Sequence, residues 1–450
     1  MSTCNTFSEL RQSCSRDLAR GQSERCPSAK RESCDRRGGL CFRHLLPLAI
    51  AGAMAVSATV LSADPPAVPD RTTQAATRGA DADWTVETHL LPKTGDGALR
   101  GITSLSPVSG AENYCFAVGT GVEDKTMSMV WAGGAKGFVL GDPGEVLLFA
   151  PGEKQPFKSL ARFPKYVYAI AANKDGTSCC ALSGISGGAE LFVINVKDGK
   201  VGPGQKVDVD CGVHQILAFA PGPMAWVLES PSDARKTHMI CLWTPGKEPN
   251  SILQLPAPKQ CLFSVTAQSC NQRFYAIYQR ELREEAATVV VLDLEGPQPK
   301  SIAKWTVKTT TNYCWLAISN DGRKVGMVPH ELDISGGDQL LVLDASNGAV
   351  QRRLSKGNGS VGHVEFSPDS ALVVSGAPQG TKIFVWNVTT GRQVAEIPYR
   401  TESKLQGYMD TLHALVFSPD GKRLLCGTEC GALHLIKVPQ AGPSTSPTKP

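Results

Sequence analysis

From residue 84 onward, short apolar runs alternate with turns rich in Gly, Pro, Asp and Ser. The runs have the length and the β-branched and aromatic content of strands, and no stretch keeps a helical period. Five of them, TVVVLDL, QLLVLDA, KIFVWNV, ELFVINV and ALHLIKV, are apolar at nearly every position, which predicts strands covered on both faces. The segment Trp84–Leu90, WTVETHL, alternates instead and predicts a half-buried strand. The turns are specified chemically. Asp175-Gly176, Asn320-Asp321-Gly322 and Asp420-Gly421 allow the positive φ of a tight hairpin, and Pro368 and Pro419 pre-set the preceding dihedral.

The runs recur as a unit. VEFSPDSALVVSGAPQGTKIFVWNVTTGRQVAEI, from Val364, and LVFSPDGKRLLCGTECGALHLIKV, from Leu415, share the order strand, Ser-Pro-Asp turn, strand, Gly-rich turn, strand. With Ser367 and Ser418 as anchors, matching positions upstream are Ser106, Ala172, Ala220, Gln268 and Ser319, in steps of 66, 48, 48, 51, 48 and 51 residues. Seven units follow, six of them regular. A single such unit cannot cover both its faces, whereas seven stacked radially in a closed ring can. The last unit stops after its third strand at Val438, and Trp84–Leu90 is the expected source of the missing fourth.

This pattern resembles the WD-repeat (WD40) β-propeller family, whose repeats run about 40–45 residues with four strands each. The match is closest in the sixth unit. There FSPD (366–369) is followed by IFVWNVTTGR (383–392), with Trp386-Asn387 where the family has Trp-Asp and Gly391 in the next turn. Leu343-Asp344, Leu292-Asp293, Ile194-Asn195 and Ile436-Lys437 occupy that position elsewhere. No unit carries the family's Gly-His at its usual distance, so the buried Asp-His-Ser/Thr-Trp network of the family is not carried over. The resemblance covers 84–438 and implies an all-β fold, a seven-bladed β-propeller of four-stranded antiparallel blades.

Composition places the chain among ordinary soluble globular proteins, 42% hydrophobic and 20% charged over 450 residues. The net charge of +4 resides in 1–43, with nine Lys/Arg against five Asp/Glu, and the remainder balances. Nucleic acid is therefore not an expected partner, since phosphate binding needs clustered cations. Arg36, Arg37 and Arg43 precede LLPLAIAGAMAVSATVLSA (45–63), which has the form of an export signal cleaved after Ala63 or of an uncleaved membrane anchor. The expected organisation is a leader at 1–63, a linker at 64–83, the propeller at 84–438 and a disordered tail at 439–450, with the body outside the cytoplasm. Membrane contact is expected only through the apolar leader.

Residues 184–188, GISGG, fit the G-x-S-x-G nucleophile elbow around Ser186. An elbow is followed by a helix, yet AELFVIN is of strand type, and GISGGAELFVIN recurs as DISGGDQLLVLD at 333–344. Ser186 and Ser335 therefore read as hairpin tips. The eight histidines form no H-E-x-x-H or H-x-H motif. His214, His363 and His413 lie near the starts of first strands, where a propeller's central channel is lined. Fifteen cysteines include no C-x-x-C pair; Cys426 and Cys430 form C-x3-C, and adjacent Cys179 and Cys180 point to opposite faces of one strand. Arg280–Glu285 reads as a solvated hairpin tip. Asn358 and Asn387 head formal glycosylation sequons, the latter on an expected strand. No metal and no cofactor are expected.

Two function classes follow: a non-catalytic, protein-binding scaffold, and a hydrolase or lactonase-like enzyme working in the central channel with carboxylates around a metal. The first accounts for the whole chain. Its candidate site lies in the first unit, where the step of 66 residues exceeds the next, 48, by 18. The excess falls within GVEDKTMSMVWAGGAKGFVLGDPG (121–144), two strand-like runs that predict an added β-hairpin. Met127, Met129, Trp131 and Phe138, joined by Tyr408 from the long connection RTESKLQGYMD (400–410), form the expected partner-binding patch.

Overall fold

The computed structural model describes residues 84–94, 99–108, 115–123, 129–130, 136–137, 140–173, 175–184, 189–207, 213–219, 224–229, 237–243, 250–256, 262–268, 271, 273–281, 285–295, 300–309, 313–330, 339–355, 361–376, 382–399 and 411–439. Within 123–140 and 207–268, and at 281, 313 and 330, only the backbone is described. The expected leader, linker and tail lie outside these residues, apart from the first residue of the tail.

Every strand pairing among the described residues is antiparallel, and the strands assemble into seven four-stranded sheets and one two-stranded hairpin. Sheet 1 comprises Arg100–Val108, Cys115–Glu123, Leu140–Phe149 and Phe157–Phe163; sheet 2, Val167–Ala172, Ser178–Ser183, Ala189–Asn195 and Gln205–Val207. Sheet 3 comprises Val213–Phe219, Met224–Glu229, Thr237–Trp243 and Asn250–Pro256; sheet 4, Leu262–Gln268, Phe274–Glu281, Ala286–Asp293 and Lys300–Lys308. Sheet 5 comprises Tyr313–Ile318, Lys324–His330, Gln339–Asp344 and Val350–Ser355; sheet 6, His363–Phe366, Leu372–Gly376, Lys382–Asn387 and Gln393–Pro398. Sheet 7 takes Leu412–Phe417, Arg423–Thr428 and Ala432–Lys437 from the end of the chain and its fourth strand, Thr85–Leu90, from the beginning, in the register Thr85↔Lys437 to Leu90↔Ala432.

The turn after the first strand is built by one anchoring side chain. Ser367 Oγ donates to Asp369 Oδ1 at 2.5 Å and accepts from Leu372 N at 2.9 Å. Ser319 does the same with Asp321 (2.6 Å) and Lys324 N (2.9 Å), and Ser418 with Asp420 (2.6 Å) and Arg423 N (3.0 Å). In sheet 2 this role belongs to Asn173, whose Oδ1 accepts from Ser178 N at 2.9 Å. The anchor there falls one residue after Ala172, because an amide oxygen serves as well as a hydroxyl. Ser106 lies inside its strand instead of after it, and its Oγ accepts from Ala172 N of sheet 2 at 2.7 Å. The turn after the third strand depends on the residue at the family's Asp position. Asn195, Asp344 and Asn387 each accept a side-chain hydrogen bond from a backbone N–H two or three residues on, and Gly199, Gly348 and Gly391 close the turn at φ 71°, 76° and 71°.

Burial follows the alternation of side chains along the inner strands. In sheet 5, Cys314, Leu316 and Ile318 pack with Phe274, Val289 and Trp305 of sheet 4, while Trp315 and Ala317 pack with Phe366 and Trp386 of sheet 6. Further clusters join sheets 6 and 7, sheets 7 and 1, and sheets 1 and 2. A buried Leu, Ile, Val or Phe side chain contributes about 1.5–3 kcal/mol of transfer free energy, so the clusters between sheets dominate cohesion. First strands of consecutive sheets lie beside one another from sheet 1 to sheet 7, and that of sheet 7 lies beside that of sheet 1. The all-β, four-stranded, antiparallel architecture fits a propeller-type fold.

Candidate partner-binding face

First strands begin and second strands end at one end of the sheets, so this leading face also carries the connections between second and third strands. In sheet 1 those two strands run to nine and ten residues. Between them Met129–Val130 pairs antiparallel with Lys136–Gly137, Met129 opposite Gly137, as a hairpin outside the four-stranded sheet. The extra residues of the first unit therefore do form an added hairpin, and Met129 lies on it. Met127, Trp131, Phe138 and Tyr408 lie outside the described residues.

The base of the insertion is braced by a charged cluster. Glu145, on the third strand and almost fully buried, receives Arg100 Nη1 from the first strand, and Ser159 Oγ at 2.5 Å and Arg162 Nε at 3.1 Å from the fourth. One carboxylate thus ties the first and fourth strands to the third, and Thr120 Oγ1 of the second donates to the Glu145 backbone carbonyl at 2.9 Å. A buried carboxylate held by two guanidinium groups is costly to break from either side. The chain returning from the insertion also docks on sheet 2. Asp142 Oδ1 accepts from Tyr166 N at 2.7 Å, and a Cβ at Gly144 would stand 2.4 Å from Val167 N. The leading end of sheet 7 closes in equally tightly, with a Cβ at Gly431 placed 2.0 Å from Arg100 O. Charged side chains on strands read in sequence as solvent positions, and the one signal was Glu145 at the head of the apolar run VLLF.

The candidate chemistry elsewhere separates. Ser186 and Ser335 lie outside the described residues, but the segment after Ser186 is the strand Ala189–Asn195, paired with Ser178–Ser183, and not the helix of a nucleophile elbow. His363 is buried, its ring 5.8 Å from that of Trp315, and His413 Nε2 stands 3.8 Å from Glu429 Oε1. The side chain of His214 is outside the description. Among the described residues no group of three or more His, Cys, Asp or Glu is placed to hold a metal. Among the described residues no disulfide forms, and Cys426 and Cys430 of the C-x3-C pair are not joined. Burial pushes the Cys180 thiol up to about 12 and raises Cys179 as well, which keeps both protonated and unreactive. Arg280 departs from expectation: it is buried within the second strand of sheet 4, not exposed at a hairpin tip, because that strand extends to Glu281. Asn387 ends the third strand of sheet 6, and Asn358 lies outside the described residues.

Similarity to known proteins is local. The sequence matches no established protein-family profile. Over 80 residues it is 36% identical to the WD repeat-containing protein 26 homolog of Drosophila melanogaster, a stretch covering 18% of this chain and 12% of that protein. Together with the four-stranded sheets, this similarity fits a WD40-like propeller and points weakly to a scaffold without catalysis. Among the described residues no helix is long and apolar enough to cross a membrane.

Proposed function

We propose that the chain is a seven-bladed, WD40-like propeller that acts as a protein-interaction scaffold outside the cytoplasm and captures a protein partner on its leading face. The blade count rests on the seven sheets and the cyclic succession of their first strands. The location rests on the charged-then-apolar leader, whose apolar part at 45–63 acts as export signal or anchor. The observation that carries the binding reading is the hairpin Met129–Val130/Lys136–Gly137, which among the described residues is added to one of seven four-stranded sheets. Repeat scaffolds place binding loops on one face of a rigid core, and the sequence around this hairpin supplies Met127, Met129, Trp131 and Phe138, with Tyr408 from the connection entering sheet 7.

Replacing 124–139 by a short glycine linker is the test. The variant should melt cooperatively at the parent's midpoint and lose the partner that crosslinking to the parent identifies. A variant that melts normally and still captures that partner overturns the proposal.

A further inference from the structure

The outer edge strand of sheet 4 carries three lysines and no carboxylate, the largest charge among the described edges. Its fourth strand, Lys300–Lys308, pairs with Ala286–Asp293 on one side, and among the described residues no strand pairs with its other edge. Along this strand Trp305 is buried against sheet 5, its Nε1 donating to Ala345 O at 3.0 Å, and Ala303 and Val307 pack with it. Lys304, Thr306 and Lys308 are exposed at alternate positions on the opposite face; Lys300 and Ile302 are exposed too, Ile302 by 49%, but lie at or beyond a bulge that interrupts the alternation. Lys304 and Lys308 thus flank Thr306 on that face, about 13 Å apart at strand rise.

These charges are poorly answered within the sheet. Lys300 lies opposite Asp293, which is already held by Arg273, whereas Lys304 lies opposite Val290 and Lys308 opposite Ala286. Among the described residues neither Lys304 nor Lys308 forms an ion pair. Sheets 1 and 6 answer their edge charges internally, Arg162 with Glu145 and Lys382 with Glu396. Lysine on an open edge repels another basic strand and must be desolvated against a neutral one, which guards against self-association, but it favours one that brings carboxylates.

We propose that the strand Lys300–Lys308 is a second docking surface, separate from the leading face, for an acidic extended segment of a partner protein. The segment adds as a fifth strand through the open backbone edge. Its carboxylates, four residues apart, face Lys304 and Lys308, with a small or β-branched residue between them beside Thr306.

The probe is a fluorescent nine-residue peptide with Glu at its first, fifth and ninth positions and Thr or Val between, titrated against the full-length protein at low salt. Binding is expected to weaken by about tenfold in the double variant Lys304→Glu/Lys308→Glu and to return when the peptide's glutamates become lysines. N-methylation of the peptide's edge amides should abolish it. The proposal is overturned if the acidic peptide binds no better than its lysine counterpart, or if charge reversal or N-methylation leaves binding unchanged. It is overturned equally if oligothymidylate of equal charge or phosphatidylserine vesicles displace the peptide at matched charge concentration, since a bare cationic surface would then suffice. The charge-swapped peptide restores binding only to a folded variant, so loss through misfolding is distinguished.

Discussion

Ser370 sits at φ 57° in the turn position that Gly421 fills at φ 68°. Gly176 and Gly322 fill it too, at 70° and 67°, so three of these four turns use glycine where a Cβ is disfavoured and one uses serine. In all four the amide at this position donates to the carbonyl of the anchor residue, Ser370 N to Ser367 O at 2.7 Å among them.

Substituting along this series should therefore change stability in opposite directions. Ser370→Gly relieves about 1–2 kcal/mol of left-handed strain and loses part of it to the freer unfolded chain, for a net gain of roughly 0.5 kcal/mol. Gly421→Ala costs about 1 kcal/mol, since its Cβ meets Pro368 Cδ only at 3.4 Å. Gly322→Ala costs more, because a Cβ there stands 2.6 Å from the Phe274 ring in addition to the backbone strain. Urea melts of the three variants check the order. A Ser370→Gly protein less stable than the parent would contradict it.

The equivalence of Asp344 and Asn387 leads to a pH prediction. Asp344 receives Ser346 Oγ at 2.5 Å, Ser346 N at 2.8 Å and Gln351 Nε2 at 3.0 Å, and these donors, Ser346 first, hold its carboxyl below the usual carboxylate range. A group lowered in the folded state contributes stability above its unfolded value and loses it as pH falls through the lowered folded value. Asn387 makes the same turn without a charge, accepting from Thr390 N at 2.8 Å. Asp344→Asn should thus change neutral-pH stability by about 1 kcal/mol or less and make the acid loss of stability shallower. Denaturation midpoints from neutral to strongly acid pH decide it; an unchanged acid limb would show that Asp344 does not contribute there.

How far the sequence revealed this depended on what each residue does. Third strands such as Lys382–Asn387 and Gln339–Asp344 are buried through their centres, and unbroken apolar runs say so directly. Turn glycines were legible for a similar reason, since positive φ leaves few alternatives. The anchor of sheet 2 was misplaced by one residue because Asn173 replaces the serine hydroxyl with an amide, a substitution of chemistry that pattern matching does not register. The added hairpin was visible as extra length between two strands. The Glu145–Arg100–Arg162 cluster under it was not, because three charges far apart in sequence carry no periodic signal until the register brings them together. Of the proposed binding residues, only Met129 falls on a described strand.

The contact between Thr88 and His434 tests the closure of the fold. His434 is fully buried on the third strand of sheet 7, and its Nδ1 lies 2.9 Å from Thr88 Oγ1 on the first described strand. The pairing of Thr85–Leu90 with Ala432–Lys437 joins segments more than 300 residues apart, so the loop it closes is long and its entropy cost falls on this interface. Thr88→Val keeps the size and β-branching of the side chain and removes the hydroxyl, which should cost about 1–2 kcal/mol. Removing 1–90 should cost far more, because the third strand of sheet 7 then presents an open apolar edge with Leu433 and Leu435, a template for association between copies. The measurements are urea melts of Thr88→Val and light scattering of the truncated protein. Cooperative melting at the parent's midpoint by the first, together with a monomeric and equally stable second, would mean that the fold does not depend on this strand for closure.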